Sequence, residues 1–186
     1  DAAGVLFGGT TALYFLRDRA AVAPGTNVLV NGASGAVGTN AVQIAKHLGA
    51  TVTGVTSTAN VDLVIGLGAD RVIDHSADEL ASITDRFDVV LDTVGNLSIA
   101  TGRRLLRPGG RLVLAVAGLG ETIRARGNVI AGPAPERTVD VEQLLQLVAD
   151  GSVRVVIDRT YPLADIAEAH RRVDTGRKVG NVILQP

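Results

Sequence analysis

Apolar and polar positions along this chain change period repeatedly, and each change marks an element. Residues 5–16 (V-L-F-G-G-T-T-A-L-Y-F-L) are apolar almost all round, the pattern of a helix buried on every side. Ala23-Pro24-Gly25-Thr26 interrupts it with a turn, and N-V-L-V from Asn27 reads as a short buried strand. After a glycine-rich turn, Val37, Ala41, Ile44, Ala45 and Leu48 recur at helical spacing, with Asn40, Gln43, Lys46 and His47 on the other face and Gly49 as the stop. The same reading gives a strand over 51–56, a helix opened by Ser57-Thr58 and running to Leu67, and strands over 71–74 and 87–92. A helix over 97–107, a Pro-Gly-Gly turn at 108–110 and a strand over 111–116 follow.

Beyond Gly118 the pattern loosens. Gly132-Pro133-Ala134-Pro135 is a break, and Val141, Leu144, Leu145 and Val148 form a helix face that ends at Gly151. A strand over 153–157, a helical stripe of Leu163, Ile166, Ala169 and Val173 stopping at Gly176, and a strand over 180–184 complete the chain. Strands alternating with helices at this spacing predict βαβ units, and right-handed crossovers make them an α/β doubly wound parallel sheet.

Composition narrows the picture. Hydrophobic residues make up 46% and aromatics 3%, so Val, Leu, Ile and Ala must build the core. Lys and Arg number 18 against 19 Asp and Glu, with no basic run, which argues against nucleic acid as a partner. With no cysteine there is no disulfide, thiolate zinc site or cysteine nucleophile. No apolar run reaches the roughly 20 residues of a membrane span, so a soluble, cytoplasmic protein is expected. Methionine is absent and the chain opens inside an apolar run, which reads as the C-terminal part of something longer.

The candidate chemistry centres on residues 27–38, N-V-L-V-N-G-A-S-G-A-V-G. Strand, tight turn and helix in this order offer the helix's first N–H groups and positive dipole end to a pyrophosphate. Against the fingerprint G-x-G-x-x-G, Ala33 takes the first position behind an extra Gly32. Gly35 lets the backbone approach a diphosphate, and Gly38 lets the helix pack closely on the strand. The bland alternative is a tight βα turn. In NAD sites an acid closes the second strand to bind the ribose 2′-OH; here Thr56 stands there, followed by Ser57 and Thr58. Nothing repels a 2′-phosphate, so NADP(H) is preferred over NAD(H), although no Arg or Lys lies between Thr56 and Asp70 and either hydroxyl could simply cap a helix.

Ser34 within G-A-S-G-A resembles a nucleophile elbow, with His170 downstream, but Ala36 replaces its second glycine and the turn follows the first strand. His47, His75 and His170 lack metal-ligand spacing and read as solvated or capping groups; no metal site is expected. Asp88 and Asp92 flank an apolar strand and read as structural hydrogen-bonding groups.

V-L-V-N-G-A-S-G-A-V-G-T-N-A-V-Q-I-A-K-H-L-G-A, then L-G-A-D-R-V-I-D, V-V-L-D-T-V-G-N, R-P-G-G-R and D-T-G-R-K-V-G-N-V-I-L together resemble the medium-chain dehydrogenase/reductase superfamily, in its zinc-free, quinone-oxidoreductase-like branch. The resemblance implies a Rossmann fold lacking the N-terminal GroES-like domain, with residues 1–26 a connecting helix, 27–150 the NADP-binding domain and 151–186 a segment returning to the substrate domain. It implies Ser34, Gly35, Ala36 and Val37 at the diphosphate and Ser57 with Thr58 near the 2′-phosphate. It further implies Thr93, Val94 and Gly95 near the adenosine, Thr11, Val116, Ala117 and Gly118 near the nicotinamide, and Gly180 with Asn181 as an extension. Zinc-binding members carry a cysteine at about Phe7, and NADP-preferring relatives a basic residue around Ala59 or Ile65, both missing here. The implied activity is hydride transfer to a carbonyl, quinone or conjugated alkene of a small-molecule substrate, by a fragment inactive alone. The general acid and other catalytic residues are not identified, and a homodimer is left open. A non-catalytic NADP(H)-binding module or sensor is the alternative, and a Rossmann-like methyltransferase a third, against which Thr56 argues.

Overall fold

The computed structural model describes residues 3–77 and 80–186. Helix α1 (Ala3–Leu13) runs directly into a π-helical segment, Tyr14–Arg19. Then come β1 (Asn27–Asn31), α2 (Ala36–His47), β2 (Thr51–Thr56), α3 (Val61–Gly66), β3 (Arg71–Asp74) and β4 (Phe87–Asp92). They are followed by α4 (Ile99–Arg104), β5 (Leu106–Leu114), α5 (Leu119–Arg124), β6 (Val129–Ala131) and α6 (Thr138–Ala149). These six strands form one parallel sheet in the order β3-β2-β1-β4-β5-β6, the doubly wound Rossmann arrangement. The chain direction of the winding reverses between β1 and β4, which places a crevice at their C-terminal ends.

Both faces of the sheet are covered, as parallel sheets require. In β1, Val28 and Val30 face the layer of α1, α2 and α6 together with Val5, Leu13, Leu16, Ile44 and Leu144. Leu29 faces the opposite layer with Val55, Val90, Leu105 and Leu112. A separate pair of parallel strands, β7 (Ile157–Pro162) and β8 (Asn181–Gln185), brackets α7 (Ile166–Asp174). This unit leaves Leu163, Ile166 and Val173 exposed.

Several expectations are corrected. The helix expected over 97–107 is the shorter α4, capped by Ser98, whose Oγ accepts from the Thr101 N–H at 3.0 Å. Pro108–Gly110 does not precede β5 but lies inside it: Leu106 pairs with Phe87 and Arg111 with Val89, so the Pro-Gly-Gly stretch loops out of the ladder. The strand expected over 153–157 starts only at Ile157, because the Arg154 backbone is bound by a side chain: Gln43 Oε1 accepts its N–H at 2.7 Å and Gln43 Nε2 donates to its carbonyl at 3.0 Å. Gln43, expected on the face opposite the apolar stripe, is buried for this reason, and Asn40 on the same face is buried with its Nδ2 donating to the Ala36 carbonyl at 2.8 Å. Neither α5 nor β6 was expected; β6 is too short to show a period.

The π-helical turn widens the end of α1 and brings Arg17 and Asp18 against α6. Asp140, fully buried, accepts from Arg17 Nη2 at 2.7 Å and Arg137 Nε at 2.6 Å, and Arg137 also bridges to Asp18. Arg17 Nε reaches Asp18 Oδ1 at 2.5 Å. The Tyr14 ring lies 5.8 Å from the guanidinium carbons of both Arg19 and Arg137. Burial by itself would raise the Asp140 carboxyl, but the hydrogen bonds from Arg137 and Arg17 outweigh it and hold the group below the usual carboxylate range. The hydrogen bond from Arg17, supported by Arg137 against the effect of burial, holds Asp18 down at about 2.

Removing a buried partner strands two guanidinium groups, so Asp140→Asn is expected to lower stability by about 2–4 kcal/mol. Asp18→Asn, at a site 25% exposed, should cost under about 1 kcal/mol. Urea unfolding at neutral pH checks both, and equal losses would contradict the assigned roles. Because the folded-state values of Asp140 and Asp18 lie below the unfolded 3.8, their contribution is complete above that pH and is lost as pH falls through the folded values, toward about 2 for Asp18. Stability measured between pH 5 and 2 should therefore decline more steeply in the wild type than in Asp140→Asn.

Candidate dinucleotide site

β1 delivers the chain to Gly32, whose φ of +81° turns it sharply. Gly35 then caps α2 and offers no side-chain acceptor. The N–H groups at the start of α2 have no partner inside the helix, and Ser34 through Val37 are only half-buried, so these donors face the crevice. Two glycines here serve different needs. A Cβ at Gly38 would fall 2.0 Å from the Gly32 carbonyl oxygen, so the chain's own packing excludes one. Gly35 has an ordinary φ of −80°, and a Cβ there would meet nothing closer than the Gly32 oxygen at 3.4 Å. Packing within the chain does not require that glycine.

The turn is held from two other sides. A Cβ at Gly8 would lie 2.3 Å from the Ala36 carbonyl oxygen, so α1 rests backbone-to-backbone on the first turn of α2. The C-terminal tail also reaches it: Gly180 N–H donates to the Ser34 carbonyl at 2.8 Å, and Gly180 forms a parallel bridge with Gly35. The Asn181 N–H and Nδ2 both donate to the Val156 carbonyl, at 2.9 and 3.2 Å, anchoring the tail.

At the end of β2, buried Thr56 donates from Oγ1 to Ser34 Oγ at 2.8 Å. Asn60 Nδ2 reaches Ser34 Oγ at 3.4 Å and Ser57 Oγ at 3.1 Å. Thr58 turns the other way, donating to Asp74 Oδ2 at 2.5 Å. The hydrogen bonds found for the Ser34 hydroxyl involve no histidine, and His170 is exposed on α7, so the nucleophile-elbow arrangement is not assembled.

Across the crevice, Asp92 is fully buried and accepts from Asn31 Nδ2 at 2.8 Å and from the N–H groups of Val94, Gly95 and Leu97. Its role is to shape the loop after β4, as its sequence position suggested. Thr93 Oγ1 ties that loop to the Asn31 carbonyl at 2.7 Å. Val94 is half exposed, and Gly95 lies so near Val116 that a Cβ would meet Val116 Cγ1 at 3.2 Å. Val116 and Ala117 line a cavity of about 390 Å³, and Gly118 caps α5 with its N–H on Glu121 Oε2 at 2.9 Å. Thr11 lies on the wall of a larger cleft of about 490 Å³ between α1, Ala115 and the loop from Gly132 to Glu136. Its hydroxyl donates to the Phe7 carbonyl at 2.7 Å, and Phe7, 75% exposed, lines the same cleft.

The residues named from sequence therefore occupy four places: the glycine turn with Gly180 and Asn181, the corner after β2 with Ser57 and Thr58, of which Thr58 turns to Asp74, the loop after β4 meeting Val116, and the cleft holding Thr11. Missed were Gly8, Asn31, Asn60 and Asp74. A polar Asn31 closing an apolar strand was a usable signal; the others depend on contacts distant in sequence. Among the described residues, no cluster of three or more His, Cys, Asp or Glu is placed to hold a metal ion.

The family described as "Zinc-binding dehydrogenase" matches residues 67–184. The acryloyl-coenzyme A reductase of Metallosphaera sedula is 36% identical over 175 residues, covering 89% of this chain and 52% of that protein. Among solved structures, the quinone oxidoreductase from Coxiella burnetii matches with a TM-score of 0.86 at 26% identity, over 99% of this chain and 60% of its own. Mycobacterial Rv1454c, solved in complex with NADPH, matches with a TM-score of 0.80 at 27% identity, over 99% of this chain and 63% of its own. The chain belongs to the medium-chain dehydrogenase/reductase superfamily. It spans from about half to under two thirds of the length of these relatives.

The contrast between the glycines is testable. Gly38→Ala should cost about 3 kcal/mol of stability through the forced backbone shift. Gly35→Ala should change stability by less than about 1 kcal/mol yet weaken NADPH binding by about tenfold or more. Urea unfolding and NADPH fluorescence titration read the two effects, and unchanged affinity in Gly35→Ala would remove the diphosphate from this turn. Gly180→Ala, whose Cβ would fall 2.3 Å from the Val156 oxygen, should break the tail's bond to Ser34 and weaken binding as well.

Proposed function

We propose that this chain is the cofactor-binding part of an NADP(H)-dependent, zinc-independent oxidoreductase that moves hydride to a carbonyl, quinone or conjugated alkene. The observation that carries the reading is the first turn of α2, whose first N–H groups have no partner inside the helix, opening on a glycine that the chain's own packing does not require. In this reading Ala36 and Val37 bind the diphosphate through their backbone N–H groups, Gly35, whose own N–H donates to the Gly32 carbonyl at 3.0 Å, leaves room for it, and Thr93 to Gly95 border the adenosine. Thr11 and the stretch from Val116 to Gly118 border the nicotinamide, the group that supplies the hydride; the protein positions it and excludes water. The printed names of the relatives, an acryloyl-coenzyme A reductase and a quinone oxidoreductase, support an electron-poor acceptor, and the NADPH complex of Rv1454c supports the cofactor.

Preference for NADP(H) rests on Thr56 in place of an acid, with Ser57 as a neutral hydroxyl group for a 2′-phosphate and Thr58, whose hydroxyl donates to Asp74, bordering the same corner. Zinc independence rests on the absence of cysteine and on Phe7 at the position where zinc-binding members carry one. We further assign residues 151–186 to the substrate side, because the β7-α7-β8 unit leaves apolar side chains uncovered. A small-molecule substrate, a cytoplasmic setting and a homodimer belong to the same reading. Among the described residues no helix is long and apolar enough to cross a membrane.

Titration with NADPH, NADH and S-adenosylmethionine is the direct test: NADPH should bind tightest and S-adenosylmethionine not at all. Ser57→Asp should weaken NADPH at least about tenfold more than NADH, by placing a like charge against the phosphate; equal effects would sink the 2′-phosphate assignment. The chain by itself should bind NADPH while reducing enones or quinones negligibly, and robust turnover would overturn its reading as a part.

A further inference from the structure

The cofactor corner contains a charge that the proposed preference does not use. Asp74 closes β3 and pairs in register with Thr56, the residue at the end of β2. Its Oδ2 accepts from Thr58 Oγ1 at 2.5 Å, and its Oδ1 accepts from the Ser76 N–H at 2.8 Å. A continuous polar strip therefore runs from Ser34 through Thr56, Asn60, Ser57 and Thr58 to this carboxylate. Among the described residues no Lys or Arg pairs with Asp74; the side chain beside it is exposed His75. The strip itself carries no positive charge, since no Lys or Arg occurs from Thr56 to Asp70.

We propose that Asp74 is a specificity-determining residue: acting through Thr58 and through its charge, it restrains binding of a 2′-phosphorylated dinucleotide and keeps the unphosphorylated one competitive. The proposal rests on the reading of Ser57 and Thr58 as the 2′ corner. Two physical effects act together. The Thr58 hydroxyl proton is committed to Asp74 and is not offered to a phosphate, and an ionised carboxylate one residue further out repels a dianionic group. The hydrogen bonds from Thr58 and from the Ser76 backbone hold Asp74 below the usual carboxylate range, so the charge is present at neutral pH. The usual acid of an NAD site stands at the end of the second strand; here the neighbouring third strand supplies it from the side. The outcome is a narrow preference between the two cofactors.

Fluorescence titration of NADPH and NADH against the wild type, Asp74→Asn and Asp74→Ser tests this. The affinity ratio of NADPH to NADH should rise by about threefold to tenfold in both variants at low salt. The gain should shrink as ionic strength rises toward about 0.5 M, a dependence that a merely structural role of Asp74 would not produce. Asp85→Asn removes a carboxylate at the opposite end of β3, paired with Arg71, and should leave the ratio unchanged. A ratio that does not move, or falls, in both Asp74 variants while the wild type binds NADPH overturns the Asp74 assignment and leaves the cofactor reading standing. Failure of the wild type to bind either nucleotide overturns both.

Discussion

At the first turn of α2 backbone packs directly on backbone from two sides, and the position of the neighbouring elements follows from it. Gly38 lies against the Gly32 carbonyl, where a Cβ would sit at 2.0 Å, and Gly8 of α1 lies against the Ala36 carbonyl, where one would sit at 2.3 Å. Interiors are close-packed and yield little, so neither contact can be relieved by small adjustments elsewhere. These approaches fix the axis of α2 on β1 and aim its N–H groups into the crevice at the sheet's reversal point. The C-terminal tail adds a third hold through Gly180 and the Ser34 carbonyl.

The crevice is built with neutral polar groups on one side and a buried carboxylate on the other. Asp92 collects four N–H donors, one from the Asn31 side chain and three from the loop after β4, so the two strand ends flanking the crevice are joined through a single side chain. Such a network is costly to leave incomplete and therefore rigid when complete. On the β2 side the strip from Ser34 to Thr58 is uncharged until Asp74, and in the proposed reading cofactor choice depends on a balance between weak hydroxyl donors and one peripheral charge. That differs in kind from a site where an acid or an arginine decides the matter outright.

A second organising feature lies away from the crevice. The π-helical turn at Tyr14–Arg19 carries Arg17 and Asp18 to Asp140 and Arg137 and thereby fastens α1 to α6. Those two helices form the wall and roof of the larger cleft lined by Thr11, Phe15 and Val141. The ion-pair cluster thus stabilises the element that carries Thr11 and, through Gly8, also the first turn of α2.

By itself the sequence determined the alternation of strands and helices, the Rossmann class, the glycine turn with Gly38 packed against the strand, and the superfamily. These are carried by short-range patterns: periodicity, turn chemistry and motif order. Where it misplaced elements, a distant partner overrode the local signal. Gln43 lies opposite the apolar stripe of its helix but is buried because it binds the Arg154 backbone, which in turn delays β7. Pro108 to Gly110 look like a turn between elements but are looped out within β5, because Leu106 finds Phe87. Only the tertiary structure showed that Gly8 and Gly180 brace the turn, that Asn31 and Asp92 join the two sides of the crevice, and that Asp74 reaches Thr58. Each joins segments that meet only when the sheet is wound and the tail folds back, and a pairing set by that winding leaves no period or spacing along the chain.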